Sequence, residues 1–121
     1  MSLRRAVGIG CTSLAAIEDV LDLVRAVIGK AEGVAILASL DRRETIARAA
    51  AACLDLDLML FSAGRLAEVR GIITPSARAA NALGTASVAE AAALAALGPR
   101  AQLIVARRTG RRCTCALAEI A

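Results

Sequence analysis

Histidine is absent from the 121 residues, as are tryptophan and tyrosine, and Phe61 is the only aromatic ring. Without imidazole there is no histidine acid or base and no histidine-ligated metal site. With one ring there is no platform on which successive bases could stack, which argues against single-stranded nucleic-acid binding. Lysine is nearly missing too: Lys30 is the only one among 15 basic residues, and the rest are arginine. No apolar run reaches the ~18 uncharged residues of a membrane span, and Met1 to Arg5 leads into a strand-like run with no signal-peptide core. These absences predict a cytoplasmic protein without a membrane partner.

What is present is 58% hydrophobic, mostly alanine, leucine, isoleucine and valine. Small side chains let helices and strands pack closely. A chain of this length is read as one domain, residues 1–121, able to bury a core without disulfide or metal staples. The net charge of +4 is carried by guanidinium groups. Their planar forks match carboxylates and phosphates, so the charge suits an anionic ligand, while its scatter does not point to DNA. The same alanine and arginine bias also follows from a GC-rich coding sequence. No cofactor or metal is expected.

The order of elements is read from periodicity. "RRAVGIG" (4–10) is a strand ending in glycines. "SLAAIEDVLDLVRAVIGK" (13–30) has apolar residues at helical spacing, with Ser13 as cap and Gly29 as stop. "GVAILAS" (33–39) is a strand covered on both faces. "DRRETIARAAAACL" (41–54) is a helix with Asp41 as cap and Glu44 three positions on. "LDLMLFS" (56–62) is a third strand and "SAGRLAEV" (62–69) a short helix. A helix capped by Thr74 with Pro75 in its first turn closes at Gly84, and another runs from Ser87 to Leu97. "QLIVAR" (102–107) and "RRCTCALAEI" (111–120) are strands separated by "RTG", too short a link for a parallel crossover. The expectation is an α/β fold: a three-layer α/β/α sandwich with a mixed sheet of about five strands, the last two an antiparallel hairpin.

Three stretches could carry chemistry. In "GIGCTS", Gly8 and Gly10 would form a turn that brings backbone N–H groups of Cys11, Thr12 and Ser13 to an anion. The third glycine of a dinucleotide fingerprint and the lysine of a P-loop are both missing, so a plain strand-to-helix turn stands beside that reading. Cys11 would lie at a helix N-terminus, where a thiol pKa falls, but no histidine is available as its base. In "GTASVAEAAAL" (84–94), Ser87 and Glu90 spell a capping box, S-x-x-E before an apolar helix. Its helix start, with Gly84 and Thr85, could also face an anion. In "RRTGRR" (107–112), Arg107 and Arg108 crowd a hairpin turn with two more arginines, either a solvated tip or a carboxylate clamp. Cys113 and Cys115 would share one strand face and read as core packing, since Cys-x-Cys is not a zinc or redox spacing.

"VGIGC" at 7–11, "ITPSARAANALGTASVAEAAALAAL" at 73–97, and the basic hairpin followed by "CTCALAEIA" together resemble the CobE family. These are stand-alone relatives of the C-terminal domain of CbiG in cobalamin biosynthesis. The likeness runs the length of the chain, and G-T-x-S-V-x-E-A-A-A-L is its most specific part. The sequence departs from the family pattern after Cys11, where an arginine and a third glycine are missing, and in "SLDRRET" (39–45), a shorter turn offering Arg42 and Arg43. The resemblance implies a part in building the corrin ring. CbiG proteins are associated with opening a ring lactone in the anaerobic route, and CobE belongs to the aerobic one. Precorrin and corrinoid intermediates carry carboxylates around a flat apolar macrocycle, which an apolar cleft rimmed with arginine would complement. The binding residues so implied are the Gly8–Ser13 loop, Arg42 and Arg43 within 39–43, and Gly84 to Ser87, at the C-terminal ends of the parallel strands, together with Arg107 and Arg108 of the basic hairpin. Two other readings stay open: a hydrolase or isomerase acting on a precorrin through Thr85, Ser87 or Glu90, and a docking domain for another enzyme of the pathway.

Overall fold

The structure is a computed structural model describing residues 3–69 and 87–121. The expected helix from Thr74 to Gly84, and the residues Gly84 and Thr85, lie outside the described residues. The elements in chain order are β1 (Arg4–Cys11), α1 (Ile17–Ile28), β2 (Val34–Leu40), a 3₁₀ turn (Asp41–Arg43) and α2 (Glu44–Leu54). They continue with β3 (Asp57–Phe61), α3 (Ala63–Ala67), α4 (Val88–Leu97), β4 (Gln102–Thr109) and β5 (Cys113–Ile120).

One five-stranded sheet runs β3-β2-β1-β5-β4. β1, β2 and β3 pair in parallel, while β5 is antiparallel to both β1 and β4. The alternation of side chains along each strand divides the core in two. Val7 and Ile9 of β1, Leu37 of β2 and Leu117 of β5 pack with Val20, Val24 and Val27 of α1 and Ala47, Ala50 and Ala51 of α2. On the other face Ala38 and Leu40 of β2 meet Leu66 of α3 and Ala91 and Ala92 of α4. Ala93 and Leu94 of α4 pack on Ala118 of β5, with Leu103 of β4 against them. The expected three layers and mixed sheet with a terminal hairpin are therefore present. Among the described residues no helix is long and apolar enough to cross a membrane.

Several local expectations are corrected. β1 continues through Cys11, so Gly8 and Gly10 are not a turn: they pair with Ala116 and Thr114 inside the sheet. Their reason is close approach. A Cβ on Gly8 would lie 2.0 Å from Ala89 O and 2.6 Å from Ala93 N, so only hydrogen at this position lets α4 rest on the strand. A Cβ on Gly10 would meet the Thr114 hydroxyl and the Val88 side chain. α4 thus starts over the C-terminal end of β1.

Helix α1 begins at Ile17 rather than at Ser13. Thr12 takes the local hydrogen bonds instead: its Oγ1 accepts from Leu14 N–H at 3.3 Å and its carbonyl from Ala15 N–H at 3.2 Å. That closes a turn and delays the helix. Asp19 Oδ2 then accepts from Ala16 N–H at 3.3 Å, capping the first turn. In α2 the anticipated cap Asp41 opens a 3₁₀ turn, and Glu44 reaches forward to Arg48 at 2.5 Å.

The hairpin turns at Gly110 to Arg112, with Arg107 and Arg108 still inside β4. Register explains this. From Leu103 to Val105 two steps on β4 match one on β5, and from Val105 to Arg108 three steps match two. Two extra residues bulge the strand and carry it past the point that strict alternation gives.

Candidate functional site

The C-terminal ends of β1, β2 and β3 gather at one edge of the sheet, and the antiparallel β4–β5 turn joins them there. α1, α2 and α4 all begin at that edge, so their free N–H groups point the same way. An open cleft of about 510 Å³ lies between the loop after β1 and the start of α2. Its rim carries Thr12, Ser13, Arg42, Arg43 and Thr45. Ala15, Ile17, Ile46 and Ala49 make an apolar floor. A rim of guanidinium and hydroxyl donors over an aliphatic floor suits a ligand that is anionic at its margin and apolar in its body.

Arginines fasten the loop from both sides. Arg43 Nε donates to Cys11 C=O at 3.0 Å. Arg112 Nη1 donates to Leu14 C=O at 3.4 Å, and Arg112 C=O accepts from Thr12 N–H at 3.0 Å. Arg42 is exposed at the rim.

The residues singled out from sequence therefore fall into groups. Thr12, Ser13, Arg42 and Arg43 line one cleft. Gly8 and Gly10 lie within β1 and face α4. Arg107 and Arg108 are on β4 and do not line the cleft. Ser87 sits at the same sheet edge but on the opposite face, 1% exposed, where its Oγ accepts from Glu90 N–H at 3.3 Å. Glu90 is fully buried at 0% exposure, and its Oε2 accepts from Arg107 N–H at 2.8 Å. That donor belongs to the bulged stretch of β4, where the register leaves the β5 ladder. Ser87 and Glu90 thus spend side-chain atoms on backbone groups.

Thr45, Ile46 and Ala49 were not anticipated as lining residues. Their signal was available: they follow Arg42 and Arg43 on the first turns of α2, away from the buried Ala47 and Ala50.

Cys11 ends β1 instead of heading a helix, and its electrostatics follow. Burial, reinforced by the neighbouring Cys113 and opposed by Arg43, raises its thiol from 9.0 to about 12. Burial and then Asp19 raise Cys113 as well, and burial raises Cys115. A thiol whose pKa is higher folded than unfolded stabilises the native state fully below pH 9.0, and that contribution is lost as pH rises toward 12. Two outcomes are expected. Iodoacetamide at pH 7.5 modifies the exposed Cys53 before Cys11, and Cys11 labelling keeps rising above pH 9. The urea midpoint falls between pH 8 and pH 10.5. Equal labelling of Cys11 and Cys53 at pH 7.5 would contradict the burial argument.

Comparison with known proteins places this geometry. Residues 5–118 match the family model for the cobalamin synthesis G C-terminus. The structure of CobE, a protein from the cobalamin (vitamin B12) biosynthetic pathway, is 30% identical, with 99% of this chain and 96% of that one covered and a TM-score of 0.88. Cobalamin biosynthesis protein chiG from Agrobacterium tumefaciens str. C58 is 34% identical over 94% of this chain and 96% of that one, with a TM-score of 0.68. A cobalamin biosynthesis protein G homolog from Sulfolobus solfataricus shares the fold at 22% identity and TM-score 0.74, over 98% of this chain and 37% of that longer one. No match was found among curated protein sequences.

Proposed function

Because the chain belongs to the cobalamin synthesis G C-terminal family, that of CobE and CbiG, we propose that it binds an anionic precorrin or corrinoid intermediate in the cleft beside Arg42 and Arg43. The observation that carries this reading is the cleft's make-up: two arginines and three hydroxyl residues around a floor of alanine and isoleucine. Side-chain carboxylates of the macrocycle would take bidentate hydrogen bonds from the guanidinium groups, while its apolar edge covers Ile17 and Ile46. The opening leaves the rest of a large flat ligand outside, as suits an intermediate passed onward. Binding is favoured over turnover because Ser87 and Glu90, the residues an enzymatic reading would use, are buried and hold backbone N–H groups.

The test is a titration with a corrin-ring polycarboxylic acid, followed by visible absorption and calorimetry at two salt concentrations. A hydrogen bond to a charged partner contributes about 1.5–3 kcal/mol, so Arg42→Ala should weaken binding roughly tenfold or more. Added salt should weaken the wild type further. The pair Arg107→Ala and Arg108→Ala, outside the cleft, should bind like the wild type. Loss of affinity in that pair with none in Arg42→Ala would move the site to the hairpin. No binding at either salt concentration would favour a docking domain.

A further inference from the structure

Three thiols that the proposed cleft does not use share the face of the sheet that packs on α1. Cys11 ends β1, and Cys113 and Cys115 begin β5. Cys113 Sγ lies 3.6 Å from Asp19 C=O of α1, to which it donates. In the β1–β5 ladder Cys11 stands directly opposite Cys113, while Cys115 stands opposite Ile9.

The neighbouring rung identifies the kind of pair. Thr12 N–H donates to Arg112 C=O at 3.0 Å. Hydrogen-bonded and non-hydrogen-bonded positions alternate along an antiparallel ladder. Thr12 and Arg112 occupy the first kind, so Cys11 and Cys113 occupy the second. Residues at such positions have Cα atoms about 4.5 Å apart, inside the ~4.4–6.8 Å that a disulfide spans. Cys113 and Cys115 are two steps along one strand, about 6.8 Å apart with parallel Cβ directions, a poor pair. Cys53 is exposed near the far end of α2. Among the four cysteines, only Cys11 and Cys113 face each other across the ladder.

We propose that Cys11 and Cys113 form a redox-active dithiol that closes to a cross-strand disulfide in the presence of a low-molecular-weight disulfide such as oxidised glutathione. Cys11, half-buried beside the positive charge of Arg43, is the thiol that a solute can reach. Its thiolate attacks one sulfur of the reagent, forms a mixed disulfide and releases the first glutathione thiol. Cys113 then attacks the Cys11 sulfur and releases the second. The two protein thiols give up two electrons and two protons, and the broken reagent bond takes them up as two thiols. Burial keeps both protein thiols protonated at neutral pH, so the reaction quickens as pH rises. The new bond would join the strand end leading to Thr12 and Ser13 to the strand start that follows Arg111 and Arg112. It does not depend on the identity of the ligand.

The experiment uses the full chain carrying Cys53→Ser, reduced and then incubated with oxidised glutathione at pH 8.5. Intact mass and the tryptic map are read before and after. The expected result is a loss of ~2 Da and a link between the peptide containing Cys11 and the C-terminal peptide. Fragmentation should place the sulfur bond on Cys113 rather than Cys115, so the pattern of the Cys53→Ser chain decides even if a second variant folds poorly. Cys113→Ser should stop at a glutathione adduct on Cys11. The proposal is overturned by a link to Cys115, by a stable glutathione adduct on Cys11 with Cys113 present, or by no change in mass.

Discussion

Gly8→Ala is expected to lower the melting temperature by roughly 10 °C or more, or to give no folded protein. The added methyl carbon would lie 2.0 Å from Ala89 O and 2.6 Å from Ala93 N. Both atoms belong to the backbone of α4, so no rotamer change relieves the clash. The helix must lift off β1, and with it go the contacts of Ala91, Ala92, Ala93 and Leu94. Overpacking a core costs about 1–3 kcal/mol when side chains can yield; here the obstacle is main chain, so the top of that range or beyond is expected. Gly10→Ala is the control. Its nearest obstacle is Thr114 Oγ1 at 2.7 Å, a hydroxyl that can rotate at the cost of its 3.4 Å bond to Gly10 C=O. Thermal melts that rank Gly10→Ala below Gly8→Ala would refute the close-packing account.

The second large effect is expected from Glu90→Ala. The substitution removes the acceptor of Arg107 N–H and opens a void in a position with no solvent exposure. An orphaned buried donor costs about 1–3 kcal/mol and the void adds to it, so a loss of about 2–4 kcal/mol in urea unfolding is expected. Glu90→Gln keeps an acceptor oxygen and should lose less than half as much. If Glu90 only shapes the fold, folded Glu90→Gln should bind a corrin-ring polycarboxylate as tightly as the wild type. A variant of full stability but lower affinity would return Glu90 to the list of ligand residues.

The layers and the succession of elements along the chain were legible because the patterns that carry them are long, whereas the placing of β5 between β1 and β4 was not read from the sequence. "GVAILAS" is apolar but for Ser39, and from Ile36 to Leu40 the strand it forms is buried on both faces, Ser39 included. The short link between the last strands permitted only an antiparallel hairpin, as found. Local chemistry was harder to read where two groups compete for the same bond. Ser13 has the look of a cap, yet Thr12 captured Leu14 N–H and moved the helix start to Ile17. Glycine was read for its freedom when its value lay in its size. The sign of that use was in the sequence, in the alternation of Gly8 and Gly10 and the four-residue spacing of Ala89 and Ala93, but only the fold brings the two patterns together. The cleft was half legible: Thr12–Ser13 and Arg42–Arg43 meet because β1 and β2 are parallel neighbours, whereas Arg107 and Arg108 lie on β4, at the other edge of the sheet and separated from β1 by β5.

Those bulges bear on how copies of the chain behave at high concentration. β4 ends the strand order, and a straight edge strand offers a row of N–H and C=O groups to any extended segment that meets it. Two extra residues break the regularity of that row, and one of its N–H groups is already held by Glu90. Arg107 and Arg108 add like charges that a second β4 would have to bring together. The irregular edge therefore guards against sheet-to-sheet aggregation, and restoring regular alternation by deleting both extra residues between Leu103 and Arg108 would be expected to lower solubility before it altered the core.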